Sequence, residues 1–202
     1  MAFARSTVMA AAVGAALGLA AWLGGGGTSL AADPAAASPQ PATDAVKPGL
    51  AVRYWPYAMH NIGDVERLAK SKSGGDKGAP LPGIDYDDNT GTVLSSNLKQ
   101  EVGAEITGFI KFPEKGRYQV AANSNDGVRV WIGGAQVVDD PTIHSMGMSD
   151  ATEINVEGGV WYPLRVLYFQ RHGTWGLQLM WAPAGAKDLK VIPASAYGRT
   201  EG

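Results

Sequence analysis

Ser124-Asn125-Asp126-Gly127-Val128-Arg129-Val130-Trp131-Ile132-Gly133-Gly134 is the stretch on which the fold turns. Val128, Val130 and Ile132 alternate with Arg129 and Trp131, the two-residue period of a strand with two different faces. Gly133-Gly134 follows, and two residues tolerant of positive φ before a second strand-like run at 135–138 predict a hairpin. The same alternation extends outward. Tyr118, Val120 and Ala122 share one face of a strand, with Gln119, Ala121 and Asn123 on the other. Tyr162, Leu164, Val166 and Tyr168 alternate with Trp161, Pro163, Arg165, Leu167 and Phe169. Apolar residues on both faces there predict a central strand at 161–169, covered on both sides. Leu177, Leu179 and Trp181 alternate with Gln178 and Met180. Pro113-Glu114-Lys115-Gly116, Gly158-Gly159 and Arg171-His172-Gly173 punctuate these runs as turns. Linked antiparallel hairpins predict an all-β domain, a sandwich or a barrel. Residues 62–70 read as one short helix, and 71–83, rich in Gly, Lys and Pro, as a surface loop. Trp131 and Trp161 sit opposite the apolar residues of their strands, which fits either packing between layers or projection from a surface.

The start of the chain has a different character. Arg5 precedes an apolar run at 8–23, followed by four glycines and Ser29-Leu30-Ala31, a small-x-small cleavage pattern. This layout predicts a secretory signal peptide over 1–31, and hence a secreted or periplasmic protein. The run falls short of the roughly 20 apolar residues that span a bilayer. An uncleaved membrane anchor is the competing reading, and membrane attachment is expected only in that case. Residues 32–48 carry Pro34, Pro39, Pro41 and Pro48 among alanines and read as a disordered linker. The β domain is expected over 49–196, with a C-terminal tail at 197–202. The chain has no cysteine, which excludes disulfides, thiol catalysis and thiolate metal sites. Its net charge is −2 with no basic stripe, which argues against a nucleic-acid partner.

The order of the motifs is more specific than any one of them. Gly49-Leu50-Ala51-Val52-Arg53-Tyr54-Trp55 opens the domain, and Gly108-Phe109-Ile110-Lys111-Phe112 and Gly116-Arg117-Tyr118 follow. Ser124-Asn125-Asp126-Gly127 precedes the alternating strand, then come Val137-Val138-Asp139, Tyr162-Pro163-Leu164-Arg165-Val166, Leu179-Met180-Trp181 and Ile192-Pro193. This ordered set resembles the PA-fourteen (PA14) domain family, over roughly residues 49–196. The resemblance implies an antiparallel β-sandwich or barrel that binds carbohydrate. In the sugar-binding members that the chain resembles, two consecutive carboxylates joined by a cis peptide end a strand. They hold one calcium ion, which grips sugar hydroxyls. The matching positions are Asn125 and Asp126, and Asn at the first removes one formal charge from the site. Calcium favours six to eight oxygens, and its affinity follows ligand charge. The same four residues also read simply as a tight turn.

Asp139 and Asp140, beyond the hairpin, are candidates for further ligands or for the start of a turn before Pro141. Asp139 and His144 are expected beside the Asn125–Asp126 pair as ligand contacts. Trp175 offers a flat ring for stacking on a sugar if it faces solvent. Asp85, Asp87 and Asn89 alternate like a calcium loop, but Thr90 stands where an EF-hand needs Gly, and Ser96 where it needs Glu. His60, His144 and His172 share no zinc-ligand spacing. No motif of a hydrolase or a phosphate-binding loop is present, so no catalytic residue is assigned and the chain is read as a non-enzyme. The expected function is a secreted or periplasmic module that binds a glycan or polysaccharide, with calcium assistance. A structural or protein-binding module with an envelope protein as partner is the alternative.

Overall fold

The computed structural model describes residues 29–30, 33–71 and 74–201. The apolar run at 8–23 lies outside the described residues. The labelled elements are β1 (Ala51–Trp55), α1 (Ile62–Lys70), β2 (Asp85–Asn89), β3 (Val102–Lys111), β4 (Gly116–Asn125), β5 (Val128–Ile132), β6 (Ala135–Asp140), β7 (Thr152–Val156), β8 (Trp161–Gln170), β9 (Trp175–Pro183) and β10 (Tyr197–Arg199). They form an antiparallel β-sandwich. The front sheet runs Lys47–Pro48, β10, β3, β8, β5, β6, with β1 also on β3 and Asp76–Lys77 on β1. The back sheet runs Ser29–Leu30, β7, β4, β9, Lys190–Val191, with Gly147–Met148 on β4 and β2 on β9. The segment Ser29–Leu30 pairs parallel with β7, and the remaining ladders are antiparallel.

The two-residue period decides which side chains meet. Val120, Ala122, Leu177 and Leu179 of the back sheet face Ile106, Ile110, Val130, Ile132, Leu164 and Val166 of the front sheet, all at most 2% exposed. One end of this layer is closed by rings. Phe112 lies 4.9 Å from Tyr118, 5.0 Å from Trp181 and 5.8 Å from Tyr162. Gly133 and Gly134 take φ of +55° and +82°, as a two-residue hairpin between twisted strands requires.

β8 is central, between β3 and β5. Its outer face is only partly covered, in contrast to the expectation from its apolar pattern. α1 buries Ile62 and Val65 against Trp55, Met59, Leu167 and Phe169. Arg165 and Trp161 on the same face stay half-buried and Pro163 exposed. The helix starts where Asn61 accepts the Gly63 N–H at 2.8 Å and carries Arg67 and Lys70 in its last turn. Gly103 allows its approach, since a Cβ there would sit 2.7 Å from the Met59 methyl and 3.1 Å from Val65.

Two boundaries differ from the sequence reading. Residues 33–48 are not a free tether but lie along the sandwich. The Ala35 N–H donates to Gly133 O at 3.0 Å and the Ala37 N–H to Trp161 O at 2.8 Å. Gln40 exchanges hydrogen bonds with both main-chain groups of Trp161. A Pro-rich segment is already extended, so strand-like docking orders it at reduced entropic cost. The expected tail contributes β10, in which Tyr197 is 2% exposed, so the domain continues past residue 196. Replacing Phe112 with Ala empties the ring cluster. The variant is expected to lose about 3–5 kcal/mol of stability in urea denaturation, with the opposite end of the sandwich unaltered.

Candidate functional site

The end of the sandwich away from Phe112 is organised by Asp126. β4 ends at Asn125, the Asn125–Asp126 peptide is cis, and Gly127 leads into β5. Asp126 is 3% exposed. Its Oδ2 accepts the Arg171 N–H at 2.7 Å and its Oδ1 accepts the His144 N–H at 3.2 Å. Its own N–H donates to Phe169 O at 3.2 Å. One carboxylate therefore joins the end of β4, the loop after β6 and the hairpin after β8. Burial pushes its carboxyl above the usual range, and the hydrogen bonds from Arg171 and His144 pull it back in part. Asn125 is 7% exposed, its carbonyl accepts the Tyr168 hydroxyl at 2.5 Å, and its Nδ2 donates to Thr174 Oγ1 at 3.3 Å. Only glycine suits position 127, where a Cβ would lie 2.9 Å from both Asp140 O and Thr142 O.

These contacts set what the pair could offer a calcium ion. Calcium takes six to eight oxygens, several of them charged. The pair offers one carboxylate, and both of its oxygens already hold backbone N–H groups. The hairpin packed against it presents the Arg171 N–H to Asp126 and the Thr174 hydroxyl to Asn125. Among the described residues, no group of three or more His, Cys, Asp or Glu side chains is placed to hold a metal ion. The Asn125–Asp126 pair acts as an internal clamp between these segments.

An open polar site adjoins the clamp. His144 Nε2 lies 3.2 Å from Asp140 Oδ2, without the alignment of a hydrogen bond. Asp140 also lines a cleft of about 450 Å³ between the free edge of β6 and the edge of the back sheet. Gln136, Asp139 and Asp140 form one wall, and Met148, Ser149 and Asp150 the other. The back-sheet wall exists because the chain leaves the β4 ladder there. The Ser149 N–H donates to Ala122 O and its hydroxyl accepts the Ala122 N–H. Met148 stands 50% exposed in this wall, and Ile143 of the loop after β6 is 45% exposed.

The residues picked from sequence are thus dispersed. Asp126 and His144 meet, but Asp126 and Asn125 are buried. Asp139 lines the cleft with its carboxylate held by Arg129 at 2.7 Å, on the outer face of the front sheet. Trp175 is 4% exposed and packs 5.5 Å from Tyr86, so its ring belongs to the core and has no free face for a sugar. The direction a strand's first side chain takes depends on its ladder, and β9 carries a register shift between Trp175 and Leu177 that the pattern does not announce. Gln136, Met148, Ser149 and Asp150 had no local signal; they meet only through the two sheet edges.

Comparison with known proteins agrees with this architecture. A family model described as PA14 domain matches residues 69–194. The anti-sigma-I factor RsgI3 of Acetivibrio thermocellus is 26% identical over 121 residues, which span 60% of this chain and 18% of that protein. Among solved structures, the PA14 domain of the MpAFP antifreeze protein superposes with TM-score 0.65 at 17% identity, over 81% of this chain and 97% of that one. A PA14 sugar-binding domain from an RTX adhesin gives 0.60 at 17% identity, over 77% and 99%. The A domain of epithelial adhesin 9 from Candida glabrata, solved with Galβ1-3GlcNAc, gives 0.64 at 12% identity, over 84% and 97%. At these identities the structural likeness establishes the fold.

The clamp generates a stability expectation. Replacing Asp126 with Ala leaves the Arg171 and His144 N–H groups without acceptors. It is expected to cost about 2–4 kcal/mol in urea denaturation. An unchanged midpoint would remove Asp126 from this role.

Proposed function

We propose that this chain, which belongs to the PA14 domain family, is a carbohydrate-binding module of the cell exterior that works without calcium. The observation that carries the reading is the polar cleft along β6. Its lining of carboxylates, an amide and a hydroxyl suits the hydroxyl groups of a glycan, and Met148 at its mouth suits a sugar C–H face. The fold shared with domains solved as sugar binders supports the same reading. His144 and Asp126 hold the loop after β6 and so set the position of Asp140. In this reading the ligand is bound rather than turned over. Export by a cleaved segment at 1–31 is part of the proposal, and cleavage there would remove the Ser29–Leu30 pairing from the edge of β7; no helix among the described residues is long and apolar enough to cross a membrane. Exposed Ile143 and Met148 favour a second reading, a protein-binding module docked on an envelope partner.

A glycan array followed by calorimetry tests the first reading. Gln136→Ala and Asp140→Asn are each expected to weaken glycan binding about tenfold or more with little change in melting temperature. Chelator is expected to leave both affinity and melting unchanged. Absence of any glycan signal alongside retention of one protein partner would transfer the case to the second reading. Loss of glycan binding in chelator would overturn calcium independence.

A further inference from the structure

Between α1 and the docked segment 33–48, the front sheet leaves a strip of its outer face bare. Strand register sets Ala51, Thr107, Arg165, Trp131 and Gln136 opposite one another across β1, β3, β8, β5 and β6. Their chain neighbours Val52, Ile106, Val166, Val130 and Ala135 point into the core, so the row faces outward. Ala51 and Gln136 are exposed and the three between are half-buried. Four interstrand steps of about 4.8 Å make the row about 19 Å long. Gln136 at one end lines the polar cleft. Ala51 and Thr107 at the other line a second hollow of about 260 Å³, together with Arg53, Lys77 and Glu105.

The two ends differ in charge. The cleft carries Asp139, Asp140 and Asp150. The far hollow has a floor made by the Glu105 side chain, 6% exposed, with Oε1 accepting Arg165 Nε at 2.7 Å and Oε2 accepting Arg53 Nε at 2.5 Å. One carboxylate between two guanidinium groups leaves a positive charge in excess, and Lys77 adds another. Asp76 pairs with Tyr54 rather than Arg53, which sets it on the other face of its short strand. Arg53 spends its remaining nitrogens on Gly74 O and Ala69 O. Arg165 is 31% exposed and lies over Trp131 at 4.9 Å. Among the described residues, its two terminal nitrogens show no hydrogen bond.

We propose that this row extends the cleft into a track for a polysaccharide, and that the hollow at its far end takes the carboxylate of a uronic acid residue. The inference rests on the carbohydrate-binding reading and names the chemistry of its ligand. Lys77 lines the hollow, and Arg165, which pairs with Thr107 from the next strand and has its terminal N–H groups unbonded, borders it; a guanidinium matches a carboxylate in charge and geometry. Trp131 and exposed Pro163 give an apolar floor for sugar C–H groups. The acidic cleft repels a second carboxylate, so the favoured chain mixes neutral and acidic residues rather than carrying a charge on each.

Calorimetry on the full chain tests this with a hyaluronan octasaccharide, in which neutral and uronic residues alternate. The control is the same oligosaccharide after reduction of its carboxylates to hydroxymethyl groups. The native form is expected to bind about tenfold tighter, and the preference to shrink with added salt. Lys77→Glu is expected to abolish the preference while the reduced form binds as before, and Arg165→Gln to abolish it with weaker binding of both forms. Arg165→Gln also frees an oxygen of Glu105, so a melting curve accompanies it. Lys77→Glu changes only an exposed side chain and stands as the decisive variant. Equal affinity for the two forms, a preference that survives Lys77→Glu, or poly-glutamate binding as tightly as the octasaccharide would overturn the proposal. Where the reduced form still binds through Gln136 and Asp140, the cleft reading stands and only the acidic end is lost. Where neither form nor any array glycan binds, both readings fall.

Discussion

The carboxylate of Asp126 is the contact on which the functional end of this molecule depends. It is nearly excluded from water, and a buried charge is tolerated only when donors surround it. Two backbone N–H groups do so, one from the loop after β6 and one from the hairpin after β8. Those two segments have no ladder in common, so the clamp is what fixes one against the other. The Asn125 carbonyl takes the Tyr168 hydroxyl and the Asp126 N–H finds Phe169 O, which secures the same junction to β8 from within. Burial holds the Asp126 carboxyl above the usual range. With a folded value above the unfolded one, the folded state binds more protons between the two. The penalty of ionising Asp126 is therefore absent below the unfolded value and grows as pH rises through the folded one.

From the clamp the site follows by geometry. His144, fixed through its main chain, stands against Asp140. Asp140 is the last residue of an edge strand, and the sheet opposite it withdraws where Ser149 replaces a ladder partner. An unpaired edge exposes main-chain donors and acceptors, and natural proteins commonly guard such edges with charge. Asp139, Asp140 and Asp150 supply it here, and they also supply the acceptors that a polyhydroxylated ligand would meet.

Much of the fold was legible because its signals are local. The alternation at 128–132 and 162–168 fixed strands and faces, Gly133-Gly134 fixed a hairpin, and the helix over 62–70 fell at Ile62–Lys70. The misread parts are those whose partners are distant. Ala35 and Ala37 find hydrogen bonds on Gly133 and Trp161, far along the chain, and composition alone made the segment look like a tether. Tyr197 belongs to the core only because β10 joins β3. At the site, Asn125 and Asp126 were legible as a pair and His144 as their neighbour. Their burial was not, because the residues that cover them come from two loops. Trp175, a stacking candidate only if it faced solvent, is buried against Tyr86 by its place in β9, which no local signal carries.

The molecule uses a buried carboxylate twice, with opposite consequences for its surface. Around Asp126 the donors are mainly peptide dipoles, which satisfy the anion without adding a full charge at each contact. Around Glu105 they are two guanidinium groups, which satisfy it and leave a net positive charge. Removing a partner from a buried ionic cluster is costly, so Arg53 and Arg165 are held in place whether or not a ligand is present. A cationic group fixed in advance loses little freedom when an anion arrives. The front sheet therefore carries, about 19 Å from an acidic cleft, a preorganised patch of the opposite sign. A ligand that touches both must itself change character along its length, which an alternating polysaccharide does and a uniform polyanion does not.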